Sequence, residues 1–478
     1  MPSRTRTIWT FAITAIAVFM AALDNLVVTT ALPVIRNSLG ASLSELEWMV
    51  NAYTLTFAVL LLTGAALGDR FGRRRLFVIG LVIFTSGSAL AALAPTTTML
   101  ILARAIQGLG GAILTPLSLT ILSAAVPVER RAVALGAWGG IAGLAIAVGP
   151  LVGGAIAEGV AWQWIFWINV PIGLIAIPLA FARLNETYGP EGGLDLPGLV
   201  LASGGLLALV WGLVRGNELG WTDPIIVGSL TVGIVLLALF TAWERRAAHP
   251  MLPLRLFRSR AFAAANIVSL FMYFGMFGSI FLLAQFFQVV QGYSPLEAGL
   301  RTLPWTAMPV VVAPLAGLLS SRTGTRPLLV VGMVLQAGAL AWISLVSTPT
   351  VEYAVLAPAF VIAGIGMGLF FAPIANVVLS AVRPDEEGKA SGASNAIREI
   401  GGVFGVAVLA SVFSANGNYG SGIAYVDGLI PAIEVGAVVV AIGALAALAL
   451  PGRRRADARI GVEDAAPHRQ GREVAATS

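Results

Sequence analysis

Long apolar runs separated by short polar turns follow one another along almost the whole chain. Fourteen of these runs are long enough to cross a bilayer as a helix, which takes about 20 predominantly apolar residues. The predicted cores are residues 8–33, 46–67, 76–94, 98–122, 132–157, 163–182, 196–214, 224–243, 261–288, 299–320, 327–346, 353–380, 395–415 and 428–450. Backbone groups in lipid must be satisfied within each segment, and the runs are far too long for barrel strands. The pattern therefore predicts an all-α integral membrane protein with 14 transmembrane helices.

The composition supports a membrane protein and excludes several other classes. Of the 478 residues, 58% are hydrophobic and 11% are charged, which a water-soluble globular protein would not tolerate on its surface. The chain has no Cys and two His, so we expect no disulfide, thiol nucleophile or metal site. The net charge is +5, but the Arg residues form short clusters beside apolar runs, so we expect no nucleic-acid partner. No Walker-type phosphate loop is present, and we expect no nucleotide or other cofactor.

Basic residues indicate how the chain is oriented. Arg4 and Arg6 precede a first run that resembles a signal peptide, but this run is long enough to span and lacks a convincing cleavage site, so we expect a retained helix. Fourteen spans place both termini on one side, where 24 of the 29 Arg and Lys residues fall; three fall opposite and two inside spans. Basic residues near span ends favour the inner side. We therefore predict a multi-pass cell-membrane protein with cytoplasmic N- and C-termini.

An internal repeat relates the two ends of the chain. A shift of 252 residues lays LGDRFGRRRLFVIG on LSSRTGTRPLLVVG, with Gly72 on Gly324. Six helices occupy only about the first 190 residues, so the larger shift predicts two helices interposed between related halves. The predicted organisation is a six-helix half at 1–190, two interposed helices at 191–245, a basic surface linker at 246–260, a second six-helix half at 261–452 and a disordered cytoplasmic tail at 453–478. Parallel halves of this kind place a substrate site near the midplane between them.

Several motifs, spread over nearly the whole chain, resemble those of one transporter superfamily. They are LDNLVVTTALP in the first run; Leu67, Asp69, Gly72, Arg73 and Arg74 after the second; Leu100, Arg104, Gln107, Gly108, Gly110 and Gly111 in the fourth; Gly136, Gly149, Pro150, Gly153 and Gly154 in the fifth; WQWIFWINVPIG; and QGYSPLEAGLRTLP. Leu26, Thr29, Ala65 and Ala145 depart from the family patterns. The set resembles the major facilitator superfamily, and within it the fourteen-helix drug:proton antiporters. The resemblance implies a major facilitator fold, 6+2+6 helices in two pseudo-symmetric halves, and proton-driven efflux of drugs or antibiotics.

Five of the ionisable residues in the predicted spans are candidates for transport chemistry, because a charge in the membrane interior is costly and usually functional. They are Asp24, Arg104, Arg398, Glu399 and Glu434. Asp24 and Arg104 lie at similar depths in spans one and four, so Arg104 can pair with ionised Asp24, while burial in a closed cavity favours proton uptake by Asp24. We predict a proton or substrate-cation site at Asp24; the alternative is a structural ion pair that joins the two helices.

Arg398 and Glu399 are adjacent, shortly after the cytoplasmic start of span thirteen. They point about 100° apart on a helix, so they are poor partners for each other, and we expect at least one to face the cavity. In the resembling family an acidic residue on this helix serves recognition of cationic drugs, which implies that role for Glu399; an interfacial position is the alternative. Glu434 is predicted near the outer surface, where its side chain can snorkel.

The basic turn after span two is predicted to act as a cytoplasmic gate. Its residues are Asp69, Arg70, Gly72, Arg73 and Arg74. Charge pairs there would latch the halves in the outward-open state and release in the inward-open state. An orientation signal that contacts lipid headgroups is the alternative.

The glycines and proline of span five are predicted to form a hinge or a tight packing seam. Gly149, Gly153 and Gly154 allow another backbone to approach closely, and Pro150 removes a hydrogen-bond donor and kinks the span. Packing alone and an active gating role are both compatible with this pattern.

Aromatic and amide side chains are predicted to line an adaptable, mostly apolar pocket. They are Tyr53, Gln107, Trp138, Trp211, Phe274, Gln285 and Trp305. For each of them, contact with lipid or with the protein core is the alternative.

Taken together, these features predict a secondary active transporter, not an enzyme. We expect it to work as a monomer in the lipid bilayer and to exchange protons for an amphipathic, cationic or broadly hydrophobic drug or antibiotic. A dedicated exporter of one metabolite and a proton-coupled importer are the alternatives within transport. A membrane-embedded transferase would need a cluster of catalytic side chains at a membrane interface, and none is visible. A sensor or scaffold would tolerate neutralisation of the intramembrane charges.

Overall fold

The computed structural model describes residues 4–189, 193–383 and 386–451. Within these ranges the chain has no strand, and fourteen of its helices are long and apolar enough to cross a membrane. The fourteen predicted spans are therefore confirmed. The tail predicted at 453–478 lies outside the described residues.

The fourteen helices, here numbered along the chain, extend past most of the predicted cores. They are α1 (Arg4–Leu39), α2 (Leu43–Phe71), α3 (Arg73–Ala92), α4 (Thr97–Ala125), α5 (Val128–Gly159), α6 (Trp164–Trp167 followed by Asn169–Arg183), α7 (Leu196–Leu219), α8 (Pro224–Glu244), α9 (Arg260–Gln285, continued by a π-helical turn, Phe286–Val290), α10 (Pro295–Thr323), α11 (Thr325–Val346), α12 (Tyr353–Ser380), α13 (Glu387–Asn416) and α14 (Gly422–Leu448). The predicted cores are shorter than the helices because polar residues in the first and last turns are helical as well.

Two groups of six helices pack in the same order. In the first half, α1 packs against α5, and α4 packs against both α2 and α3. In the second half, α9 packs against α13, and α12 packs against both α10 and α11, which is the same arrangement shifted by eight helices. The halves meet through α5 against α10 and, at the equivalent place, α2 against α13. This arrangement confirms two pseudo-symmetric halves.

The turns of the two halves use glycine at corresponding positions. Gly40 and Gly292, before α2 and α10, have φ of +66° and +69°. Gly72 and Gly324, before α3 and α11, have φ of +106° and +83°. The members of each pair are 252 residues apart in the sequence, and glycine is the residue that adopts such φ values without strain. The repeat found in the sequence is therefore also a repeat of backbone geometry.

The same shift relates the starts of α2 and α10. Ser42 caps α2 and exchanges hydrogen bonds with Glu45, and Ser294 caps α10 and exchanges the same bonds with Glu297. This capping box satisfies backbone N–H groups that the first turn of a helix leaves without partners. It fixes where the second helix of each half begins.

The two interposed helices, α7 and α8, pack against each other outside the halves. Leu206, Val210 and Val214 of α7 form an apolar cluster with Val59 of α2 and Val403 of α13. Because α2 and α13 belong to different halves, α7 covers one of the two places where the halves meet.

The basic linker, 246–260, crosses the mouth of the space between the halves. The backbone N–H of Met251 donates to Asp195 Oδ2 over 3.3 Å, next to the start of α7. Arg255 pairs with Glu386 at 2.7 Å, just before α13. The linker therefore connects the interposed helices to the second half.

Candidate functional site

A central cavity of about 2480 Å³ lies between the two halves. Its walls come from α1, α2, α4 and α5 of the first half and from α9, α10, α12 and α13 of the second. Its mouth is lined by Asp69 near the α2–α3 turn, Arg245 directly after α8 and Lys389 at the start of α13. The cavity is thus open on the surface where α1 begins and α14 ends, which we call the terminal side; the other surface is the opposite side.

On the opposite side the halves are in close contact along α5 and α10. Gly154 of α5 packs against the backbone of Pro295, and Gly299 of α10 packs against the backbone of Pro150. A β-carbon on either glycine would overlap the facing carbonyl oxygen, so this approach requires glycine.

Two polar contacts add to this closure. Gln288 Nε2 of the second half donates to the carbonyl of Thr30 in α1 over 2.8 Å. The guanidinium of Arg36, near the end of α1, lies 3.6 Å from the ring centre of Tyr419, in the loop after α13. We call the α5–α10 contact together with these two contacts the opposite seam. The molecule is therefore open to the terminal side and closed on the other.

Asp24 of α1 is buried, 2% exposed, and accepts hydrogen bonds from three side chains. Oδ1 accepts from Gln107 Nε2 and from Asn169 Nδ2, each at 3.0 Å. Oδ2 forms an ion pair with Arg104 of α4. A buried charge is tolerated when a counter-ion and hydrogen bonds satisfy it, as they do here. The structure thus brings together the two residues that the sequence placed at similar depths.

Arg104 is fully buried and bridges several helices. Besides its ion pair with Asp24, it donates from Nε to the carbonyl of Met49 at 3.1 Å and from Nη1 to Gln107 Oε1 at 3.0 Å. Its guanidinium lies 4.4 Å from the ring centre of Tyr53. The ion pair is therefore held in one geometry from α1, α2 and α4.

Tyr53 separates this cluster from the cavity. Its ring lines the cavity and also contacts the Arg104 guanidinium, and its hydroxyl donates to the carbonyl of Ala21 over 2.9 Å. Asp24 and Arg104 do not line the cavity wall, whereas the neighbouring Asn25 does.

Arg398 and Glu399 both line the cavity. Arg398 donates to Asn395 and lies 5.7 Å from the ring centre of Tyr273. In the described residues neither of the two adjacent side chains forms an ion pair. The expectation that they lie shortly after the start of the helix is wrong: α13 begins at Glu387, which places them about 17 Å along its axis. Both side chains therefore line the cavity about three turns into the helix.

Glu434 also lies further along its helix than the predicted core indicated. Helix α14 begins at Gly422, so Glu434 lies about 18 Å from its start, on an exposed face.

The predicted gate residues contact their own half. Arg73 pairs with Asp69 at 2.8 Å, and the backbone N–H of Arg74 donates to Glu186 Oε1, after α6, over 2.9 Å. Arg70 is exposed, and Asp69 and Arg73 line the cavity mouth. In this conformation the described contacts of the cluster stay within the first half and leave the mouth open.

The glycine and proline motif of α5 contacts two different partners. Gly149 packs against Leu26, and Gly153 packs against the backbone of Val27, both on α1. Gly154, by contrast, packs on the second half. One face of α5 therefore holds the first half together and the other forms part of the opposite seam.

Two of the seven predicted pocket residues, Tyr53 and Trp138, line the cavity. The other five lie outside its wall: Gln107, Trp211, Phe274, Gln285 and Trp305. Trp305 packs against Phe360 inside the second half, at 5.7 Å between ring centres. Because several buried helix faces look alike in sequence, the pattern did not show which face meets the cavity.

Three polar residues near these sites were missed in the sequence. Asn169 bonds Asp24, and Asn25 lines the cavity beside it. Glu47 of α2 is 2% exposed, although it was not named among the ionisable candidates. Their position within apolar runs was the available signal.

Comparison with known proteins gives one consistent result. The sequence profile of the Major Facilitator Superfamily matches residues 14–406. The tetracenomycin C resistance and export protein of Streptomyces glaucescens is 36% identical over 397 residues, which cover 83% of this chain and 74% of the relative. The multidrug resistance protein Stp of Mycobacterium tuberculosis is 36% identical, covering 85% and 76%. The methylenomycin A resistance protein of Streptomyces coelicolor is 34% identical, covering 86% and 87%.

Solved structures support the fold. A bacterial homologue of the lysosomal transporter Spinster, inward-facing and unoccupied, aligns with a TM-score of 0.64 at 18% identity, covering 94% of this chain and 98% of that one. The xylose transporter XylE of E. coli, partially occluded and inward-open, aligns with a TM-score of 0.62 at 13% identity, covering 94% and 99%.

Proposed function

Because the chain belongs to the major facilitator superfamily and is therefore a multi-pass membrane transporter, we propose that it is a proton-coupled antiporter that exports amphipathic drugs or antibiotics. Relatives named for resistance to tetracenomycin C, to methylenomycin A and to multiple drugs support export of such compounds. The terminal side is cytoplasmic in this proposal, in keeping with its excess of Arg and Lys. The open cavity is then the state that receives the substrate.

The observation that carries the proposal is the buried Asp24–Arg104 pair directly behind the cavity wall. An ionised carboxylate held by a guanidinium loses this attraction when it takes a proton, so proton binding to Asp24 frees Arg104 and loosens α1 from α4. A group with two arrangements at this position can bias the equilibrium between two conformations of the halves.

The proposed cycle follows from this switch. With the cavity open to the cytoplasm, Asp24 releases its proton and pairs with Arg104, while the drug enters beside Glu399. The halves then rotate, so that the mouth closes and the opposite seam opens. The drug leaves on the opposite side, and a proton from that side neutralises Asp24. The protonated protein returns, so one proton moves inward as the drug moves outward.

Arg398 and Glu399 suit the binding of an amphipathic compound in this cycle. They place one charge of each sign in a wall that also holds the aromatic rings of Tyr53 and Tyr273. A cationic group is attracted by Glu399, and flat apolar parts pack on the rings. The Asp69–Arg73 pair at the cavity mouth is free to contact the second half when the mouth closes.

The test is transport in proteoliposomes with an imposed pH gradient. We expect the gradient to drive accumulation of an amphipathic cation, and Asp24→Asn to abolish the dependence on the gradient. Asp427→Asn, the same substitution on an exposed face of α14, is the matched control and should transport normally.

Three outcomes would count against the proposal. A gradient that drives no compound would remove the antiporter mechanism, and accumulation in the reverse direction would favour an importer. Normal coupling in Asp24→Asn would show that the proton is carried elsewhere.

A further inference from the structure

Glu47 is a buried acidic residue that the proposed cycle does not use. It lies in the second turn of α2, near the opposite side, and is 2% exposed. Its Oε2 has no hydrogen-bond partner among the described residues. One turn further along the same face, both amide atoms of Asn51 are also buried and unpartnered. Two polar side chains are thus buried without the hydrogen bonds that usually stabilise buried polar groups.

Charged and titratable groups approach Glu47 from α7 and from the loop after α13, and none of them neutralises it. Glu218 lies near enough for its charge to act on the Glu47 carboxyl, and Glu47 lies near enough for its charge to act on the Tyr419 phenol. Glu218 is itself paired with Arg215 at 3.0 Å, and Arg36 of α1 lies over the Tyr419 ring. In the described part of the chain, Glu47 has no ion pair.

This environment differs from that of Asp24. Asp24 has a counter-ion and three hydrogen-bond donors, whereas a carboxylate at Glu47 would be buried with neither. Ionisation without a partner in a low-dielectric site is strongly unfavourable, and binding a proton removes this free-energy cost. Tyr419 cannot compensate, because burial raises the pKa of its phenol and its hydroxyl already donates to Gln285 Oε1 at 2.5 Å.

Glu47 is also linked to the opposite seam. Tyr419 and Arg36, which stack across the two halves, are part of that seam, and the Glu47 carboxyl lies near enough for its charge to act on the Tyr419 phenol. Separation of the halves on this side would part Tyr419 from Arg36 and admit water beside Glu47. Hydration would then lower the free-energy cost of ionising the Glu47 carboxyl group.

We propose that Glu47 is a second proton-binding site, which holds a proton while the opposite seam is closed and passes it to water on the opposite side when the seam opens. The proton returns to the carboxylate when the seam closes. Acid on the opposite side therefore favours closure. The inference rests on the proposed function for its place in the cycle, where an acidic exterior would speed the return after drug release.

The experiment measures the seam directly by the distance between two spin labels. The chain has no Cys, so Val160→Cys and Ile423→Cys, exposed positions on the opposite side of the two halves, can be labelled without further changes. Double electron–electron resonance in nanodiscs measures the distribution of distances between the two labels. The populations of short and long distances give the ratio of open to closed seams at each pH. An Asp24→Asn background removes the other proton site from the titration.

We expect the open-to-closed ratio to rise at least about tenfold between pH 5.5 and 8.5. Glu47→Gln, which is nearly isosteric, should hold the seam closed at every pH. Glu47→Asp should restore the titration because it keeps a carboxyl group. Glu352→Gln, at an exposed carboxyl group before α12 on the opposite side that makes no cap hydrogen bond, is the control and should titrate as the parent does.

Distinct results would overturn the inference. These are a ratio that does not change with pH, a Glu47→Gln variant that titrates like its parent, or a shift driven by Na⁺ at constant pH. The proposed function is judged separately by gradient-driven transport. Titration through Glu47 in a protein whose transport ignores the gradient would therefore reject the function and keep the site.

Discussion

The two halves of the molecule share a backbone arrangement and differ in what they place at corresponding positions of it. Asp24 on α1 forms the buried cluster with Arg104, Gln107 and Asn169. The 252-residue shift places Met276 of α9 at the corresponding position, where it lines the cavity. One place in the fold thus holds a charge in the first half and a thioether in the second.

The second half carries its intramembrane charges on α13 instead. Arg398 and Glu399 face the cavity, while the equivalent helix of the first half, α5, contributes the glycine contacts of the opposite seam. Turns and helix caps kept their residues through the duplication because any helix needs them at its ends. Intramembrane charges are needed once, and we infer that the first half took the proton chemistry and the second the contact with substrate.

Removal of the intramembrane arginine of each half, Arg104 or Arg398, should give the largest difference in the free energy of unfolding. Arg104→Leu leaves Asp24 without its counter-ion, and we expect a loss of about 3–5 kcal/mol in the free energy of unfolding together with loss of coupled transport. Arg398→Leu, at the cavity wall and without an ion-pair partner in the described residues, should cost less than about 1 kcal/mol. Denaturant unfolding in detergent, followed by tryptophan fluorescence, measures both.

A double variant sharpens this result. Asp24→Leu with Arg104→Leu replaces the pair by apolar side chains and should recover most of the lost stability, without coupling. Equal losses of unfolding free energy for Arg104→Leu and Arg398→Leu would contradict the distinction between the buried, ion-paired arginine and the cavity-lining one.

The next contrast lies within one motif. Gly154→Val would overlap the backbone of Pro295 in the second half, so we expect it to shift the equilibrium toward an open seam by about tenfold, the size of a modest overpacking penalty. Gly153→Val would overlap the backbone of Val27 in the first half, so it should lower stability without moving the halves apart. The spin-label distance between the halves measures the first effect and unfolding measures the second. An open seam in both variants would mean that α5 moves as part of a hinge.

Local patterns predicted the fold, and they also predicted the best-defined part of the site. Apolar runs gave the fourteen spans, and the shared depth of Asp24 and Arg104 predicted their contact. The pattern did not predict that Trp305 and Gln285 lie inside the second half, because helical periodicity identifies a buried face and not the element that buries it. Glu47 was missed because its position near the start of an apolar run did not show that the folded protein encloses it.

The smallest contrast concerns the helix caps that the halves share. Ser42→Ala and Ser294→Ala each remove a side-chain acceptor from the start of α2 or α10, and each should cost about 1 kcal/mol of unfolding free energy. The difference between the two should fall within about 0.5 kcal/mol, because the two capping boxes have the same residues and bonds. The same unfolding assay measures both variants. A large difference would mean that the halves have diverged in the stability of their helix starts and not only in the placement of charge.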